Sequence, residues 1–132
     1  MTVGDAVTSS AAAVLIVDDE PGMCWALGHI LKRSGIVSVA ATSGEEALRL
    51  VQRDRFCLAF IDAKLPDAEW RELARRIREA NPGVPIVLVS GYFYGDDPEV
   101  LQAAAAGVIS GFLSKPFLHD EVLAIARAAL VP

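Results

Sequence analysis

Apolar residues fall along this chain in five short continuous bursts, separated by longer stretches in which they recur every three or four positions. The bursts are Val14–Val17, Ile36–Ala41, Leu58–Ile61, Ile86–Val89 and Gly111–Leu113. Continuous runs of this length suit strands buried on both faces of a parallel sheet, and the periodic stretches suit helices laid against it. The helices carry their own punctuation. Leu27, Ile30 and Leu31 form a stripe that stops at Gly35. Ser43 with Glu46 reads as a capping box ahead of Ala47, Leu48 and Val51. A third helix runs from about Trp70 through Leu73, Ala74 and Ile77 and breaks at Asn81-Pro82-Gly83. Asp97-Pro98-Glu99 opens a fourth that ends at Gly107, and a fifth runs from about His119 to Leu130. Five strand–helix units predict an α/β fold: a doubly wound, five-stranded parallel sheet wrapped by right-handed crossovers. Residues 1–13, MTVGDAVTSSAAA, have no bulky apolar period and read as a flexible leader; residues 14–131 read as one domain.

Composition narrows the class without changing this picture. The 132 residues are 53% hydrophobic and 22% charged, a globular balance, with a net charge of -5. Lys and Arg are scattered, so the domain has no footprint for nucleic acid or an anionic membrane. No apolar run reaches the roughly 18 residues needed to span a bilayer, and no signal peptide opens the chain, so a cytoplasmic location is expected. Cys24 and Cys57 lie in no metal-ligand or redox spacing and read as reduced thiols.

The candidate chemistry lies just beyond the bursts, because ligands of an open parallel sheet sit at the carboxyl ends of its strands. There the chain places Asp18 and Asp19 in VLIVDDEP, Asp62 in FIDAKLPD, Ser90 in VLVSG, and Lys115 with Pro116 in FLSKPF. Adjacent carboxylates at the tip of a core strand repel unless a cation lies between them. Hard oxygen donors of this kind suit Mg2+, which favours one or two carboxylates together with a phosphate. A metal, a lysine and a hydroxyl can each take an equatorial phosphoryl oxygen while a carboxylate attacks in line, and Asp62, from the central strand, is the best nucleophile. Singly, each residue has an ordinary structural reading as a helix-end acid, a loop cap, a turn residue or a solvated charge. Their meeting on one edge is what favours chemistry.

Over roughly residues 13–130 the chain resembles the receiver domain of two-component response regulators, through VDDEP, IDAKLPD, VSG and KPF in order and at the family's spacing. The resemblance implies a flavodoxin-like (βα)5 fold with strand order 2-1-3-4-5. It implies that Asp62 accepts phosphate from a histidine kinase or histidine phosphotransfer protein. Asp19 and Asp62, with the main-chain carbonyl of Lys64, would bind Mg2+ (or Mn2+) directly, and Asp18 through water. Ser90 and Lys115 would contact the phosphoryl oxygens, and Phe112 would fill the place of the aromatic switch. Gly22, Met23, Ala26 and Pro116 fall where receivers dock a kinase or phosphotransfer protein, and a homodimer through the fourth helix, fifth strand and fifth helix is the corresponding expectation. Three positions depart from the pattern: Trp70 replaces a usual glycine, Leu118 a usual capping residue, and Cys24 a frequent arginine.

Two other functions compete for the same residues. A haloacid-dehalogenase-type phosphatase also uses an aspartate nucleophile and Mg2+, but wants a second aspartate where Lys64 stands. A degenerate receiver serving only as a binding module is opposed by the intact Asp, Ser and Lys set. The chain reads as a receiver alone or as one cut from a longer regulator or hybrid kinase. Among the remaining residues, Trp25 lies off the core stripe and is expected to be partly exposed, and His29 and His119 to be surface residues. One ring of Tyr92-Phe93-Tyr94 is expected to cover the site. Tyr92 and Lys64 should flank the path of attacking water and lengthen the life of an acyl phosphate.

Overall fold

Each apolar burst becomes a strand and each periodic stretch a helix in the structure, a computed structural model that describes residues 13–130. The elements alternate without exception: β1 (Ala13–Val17), α1 (Pro21–Arg33), β2 (Ser38–Ala41), α2 (Gly44–Arg53), β3 (Phe56–Asp62), α3 (Trp70–Ala80), β4 (Ile86–Ser90), α4 (Pro98–Ala105), β5 (Gly111–Ser114) and α5 (His119–Leu130). All strands are parallel and lie in the order β2-β1-β3-β4-β5, the order expected from the resemblance. β1 starts at Ala13, one residue before the apolar burst; the rest of the leader, 1–12, lies outside the described residues.

Strand alternation divides the interior into two layers. Leu15, Val17, Ala59, Ile61, Ile86 and Leu88 face α2, α3 and α4 through Ala47, Val51, Leu73, Ile77, Val100 and Ala103. Val14, Ile16, Leu58, Phe60, Val87, Val89 and Leu113 face α1 and α5 through Leu27, Ile30, Leu31, Val122 and Ala126. Large side chains such as Phe60 and Leu15 are almost fully buried, each worth about 1.5–3 kcal/mol in burial. Continuous burial holds for the apolar bursts of β1, β3 and β4 but not at the edges. β2 begins at Ser38 rather than Ile36 and exposes Ala40, and β5 exposes Ser114, because an edge strand has a neighbour on only one side.

Helix ends depart from the sequence reading in instructive ways. Ser43 Oγ accepts from Glu46 N at 3.0 Å as a capping box requires, but Glu46 reaches back one residue further, to Thr42 N at 2.8 Å. Asp97 does not cap α4; its carboxylate accepts from Tyr94 N at 2.8 Å and closes the turn before the helix. Leu118, which lacks a capping side chain, has its N–H bonded to Glu121 Oε1 at 2.8 Å, so α5 is capped from within its first turn. At the end of the sheet where β2, β4 and β5 begin, Gly35, Gly83 and Gly107 take left-handed φ of 78°, 83° and 78° and turn the chain out of α1, α3 and α4.

Candidate functional site

Register sets the site. Val17 pairs with Ile61, Asp62 with Val89 and Ser90 with Ser114, so the residues at the carboxyl ends of β1, β3, β4 and β5 come level. Asp62 and Ser90 are the last residues of their strands rather than the first of the loops, and inherit the strands' rigidity. Asp18 and Lys115 follow β1 and β5 directly. One carboxylate oxygen from each of Asp18, Asp19 and Asp62 lies within 4.8 Å of the others. Asp18 and Asp62 are buried, while Asp19 is exposed.

Lys115 stands between the two buried acids, its Nζ 2.9 Å from Asp18 Oδ2 and 3.0 Å from Asp62 Oδ1. Burial pushes the Asp62 carboxyl above its ordinary value and the Asp18 charge adds to this, against the pull of the Lys115 hydrogen bond. Burial opposes the charge on Lys115, but bonds to both carboxylates outweigh it and raise its pKa. The arrangement is an excess of negative charge held near the core by one ammonium. The other Asp18 oxygen accepts from Glu20 N at 2.9 Å, which fixes the carboxylate's direction. Three hard carboxylates with one oxygen each in mutual reach are a donor set that fits Mg2+ or Mn2+.

Ser90 Oγ accepts from both Tyr92 N and Phe93 N at 2.8 Å. Its lone pairs are engaged, so its proton remains for an incoming oxygen. Tyr92 is 63% exposed and lines, with Lys64, Ser90, Asp62, Lys115 and Asp19, an open pocket of about 460 Å³. Of the three neighbouring aromatics it is Tyr92 that reaches the site; Tyr94 points to solvent and Phe93 is half-buried. Lys64 Nζ sits 4.1 Å above the Tyr92 ring. Phe112 is half-buried on β5, outside the pocket, and a methyl group on Gly95 would stand 3.6 Å from its ring, so the loop after Ser90 runs against it.

Gly22 and Pro116 are exposed and Met23 and Ala26 half-buried, so the expected docking residues lie at the surface rather than in the pocket. Cys24 is buried and donates to the Asp18 carbonyl at 3.3 Å; burial, then the Asp18 charge, raises its thiol pKa. Both cysteines are free. Trp25 is 68% exposed and stacks on the exposed His29 with ring centroids 4.8 Å apart.

Sequence reasoning missed two participants. Glu20 lines the pocket, 3.9 Å from Lys115; its place beside the Asp pair was the available signal. Asp67 ties the loop after Asp62 to the start of α2, accepting from Gly44 N at 2.9 Å and Glu45 N at 3.1 Å. Those bonds lower its pKa. Only an acid two residues before a helix cap hinted at it.

Comparison with known proteins agrees with this geometry. Transcriptional regulatory protein GlrR of Escherichia coli (strain K12) is 34% identical over 111 residues, 84% of this chain and 24% of that protein. Response regulator protein TodT of Pseudomonas putida is 28% identical over 124 residues, 94% of this chain and 53% of that one. The chain thus spans about half the length of such relatives or less. Among solved structures, chemotaxis protein CheY4 of Vibrio cholerae superposes with a TM-score of 0.81 at 28% identity, covering 91% of this chain and 99% of that one. Among the described residues no helix is long and apolar enough to cross a membrane. The model of the response regulator receiver domain matches residues 14–127, and the chain belongs to that family, the phosphoacceptor domains of two-component signalling.

Proposed function

We propose that this domain takes a phosphoryl group from a cytoplasmic histidine kinase or histidine phosphotransfer protein onto Asp62, and that the modification switches a partner-binding surface. The observation that supports this most strongly is the Asp62 carboxylate at the tip of the central strand, 3.0 Å from Lys115 and grouped with Asp18 and Asp19. An Asp62 oxygen attacks phosphorus in line; the P–O bond forms as the P–N bond of the phosphohistidine breaks, and the imidazole leaves with the electron pair. Lys115 keeps its bond to Asp18 and turns its remaining protons to a phosphoryl oxygen, and the Ser90 hydroxyl donates to another. Asp18, Asp19, Asp62 and the Lys64 main-chain carbonyl would hold Mg2+ or Mn2+, which when bound neutralises charge on the phosphoryl oxygens.

The switch follows from Ser90. Drawing its hydroxyl towards the phosphoryl group shifts the turn that Ser90 holds through Tyr92 N and Phe93 N, and the loop that continues to Gly95 lies against Phe112. The result is a population shift of the surface formed by α4, β5 and α5, the surface through which a homodimer would form. Gly22, Met23, Ala26 and Pro116 supply the docking patch beside the site. Tyr92 and Lys64 guard the approach of hydrolytic water. Neither presents a carboxylate or carboxamide to hold that water, so the phosphorylated state is long-lived relative to fast receivers.

Incubation with phosphoramidate or acetyl phosphate and Mg2+, followed by intact mass, tests the assignment. The wild type gains one phosphoryl mass and Asp62→Asn none; an Asp62→Asn chain that gains it overturns the reading. Tyr92→Ala and Lys64→Asn should each lose the phosphoryl group faster. Rates within twofold of wild type, roughly 0.4 kcal/mol of barrier, reject the shielding role.

A further inference from the structure

Tyr92 is mostly exposed, yet its ring is held on two sides. Phe93 meets it edge-on with centroids 5.2 Å apart, and Lys64 lies over its face. The backbones of Tyr92 and Phe93 are pinned by their N–H bonds to Ser90, so what remains to be fixed is where the two rings point. On its other side Phe93 meets Trp70, edge-on at 6.3 Å. Trp70 is 4% exposed, so its indole is anchored in the core at the first turn of α3. Arg71 covers the indole at 4.8 Å and is itself ion-paired to Glu99 on α4. Trp70, Phe93, Tyr92 and Lys64 therefore run as one chain of contacts from the interior to the mouth of the pocket. They join the loop after β3 to the loop after β4.

We propose that Trp70 is a positioning residue: by fixing Phe93 it holds Tyr92, and the Lys64 ammonium with it, over the pocket and so slows hydrolysis of the phosphoryl group. The inference rests on the reading of Asp62 as phosphoacceptor. An exposed ring in a loop reorients in picoseconds to nanoseconds unless contacts restrain it, and the only buried end of this chain of rings is Trp70. An edge-to-face aromatic contact shifts the population of the held orientation by a factor of roughly two to ten, which bounds the effect on rate.

The test is a double-mutant cycle on the full chain, phosphorylated with phosphoramidate and followed by intact mass in Mg2+ after removal of the donor. Trp70→Leu and Phe93→Leu should each speed loss of the phosphoryl group at least about threefold, and Trp70→Phe should restore a rate near wild type. In a Tyr92→Ala background, Trp70→Leu should add nothing, whereas mere loosening of the fold would multiply the two effects. In the unphosphorylated protein, the Lys64 side-chain protons should lose their ring-current shielding by Tyr92 in Trp70→Leu. If Trp70→Leu does not fold, Phe93→Leu, at a half-buried position, carries the same cycle. Multiplying rates, or Trp70→Leu and Phe93→Leu rates equal to wild type, overturn the positioning role alone. A wild-type chain that gains no phosphoryl mass overturns the phosphoacceptor reading and this inference with it.

Discussion

Replacing Gly44 with alanine sets two physical effects against each other, and the geometry decides between them. Gly44 opens α2 with ordinary negative φ, so helix propensity alone favours alanine by about 0.5–1 kcal/mol. A methyl group there, however, would stand 2.6 Å from Ala68 Cβ and 3.5 Å from Asp67 Oδ1. Ordinary contact begins at 3.4 Å, so Ala68 must retreat by nearly an ångström and draws its neighbour Asp67 with it. Ala68 has no side-chain freedom with which to yield, and the retreat moves backbone. Overpacking of this kind costs about 1–3 kcal/mol. Lengthening the two bonds from Gly44 N and Glu45 N to the Asp67 carboxylate costs about 1 kcal/mol more. The net expectation is a destabilisation of about 1–3 kcal/mol, a fall in Tm of about 4–12 °C at this chain length. Because the same loop carries Lys64, Mg2+ affinity should fall as well. Thermal unfolding by circular dichroism and an Mg2+ titration read both effects. Ala68→Gly, compared with its own single mutant, should recover most of each in the Gly44→Ala background. A Gly44→Ala protein that melts at or above the wild type, or one that Ala68→Gly fails to rescue, refutes the reasoning.

Three further outcomes are expected. The raised pKa of Asp62 means that its charge opposes folding above the folded pKa, and that this cost fades as pH falls towards the ordinary value of 3.8. In metal-free buffer, Asp62→Asn should therefore be the more stable protein at neutral pH, with the gap in Tm narrowing on acidification; a gap that stays constant or widens contradicts the sign. Asn81 is 3% exposed and bonds Phe56 N at 2.7 Å, Val51 O at 3.0 Å and Asp54 O at 3.3 Å. Asn81→Ala strands these groups and should cost about 3 kcal/mol in urea unfolding with Mg2+ affinity unchanged, and a loss under 1 kcal/mol would show that the groups find other partners. NMR shifts of the Phe112 ring should move on adding beryllofluoride with Mg2+, and shifts that stay put would break the proposed link from Ser90 to β5.

The strands and the polar rim were readable because both are written locally. An uninterrupted run such as Val14–Val17 leaves little choice but a buried strand, and a carboxylate directly after it has to stand at the strand's tip. Asp18, Asp62, Ser90 and Lys115 could be gathered because topology alone carries strand ends of a parallel sheet to one side. What depends on contacts between distant loops was not readable. Trp70 looked like an intruder in a place usually held by glycine, and nothing near it in sequence announces Phe93 as its partner. Asp67 could be seen as part of IDAKLPD, but its bonds to the start of α2 exist only once β1 and β3 are paired. Edge effects were missed for the same reason: Ile36–Ala41 reads as one apolar burst, as Val14–Val17 does, and only its position in the sheet exposes Ala40. The capping acids show a finer limit, since Glu46 bonds the N–H one residue beyond the one expected and Asp97 turns back to Tyr94 N instead of capping α4, choices settled by loop path.

The three turns built on Gly35, Gly83 and Gly107 lie across the sheet from the acidic rim, and a methyl group placed on any of them would meet nothing within 4 Å. That end of the molecule is a neutral port for engineering. A dye, an affinity handle or a small inserted domain attached beside the Gly83 turn, with the left-handed glycine itself kept, would ride on a rigid sheet at full distance from the reacting atoms. It could report the domain's state or its neighbours without entering the proposed docking patch or the proposed path of water.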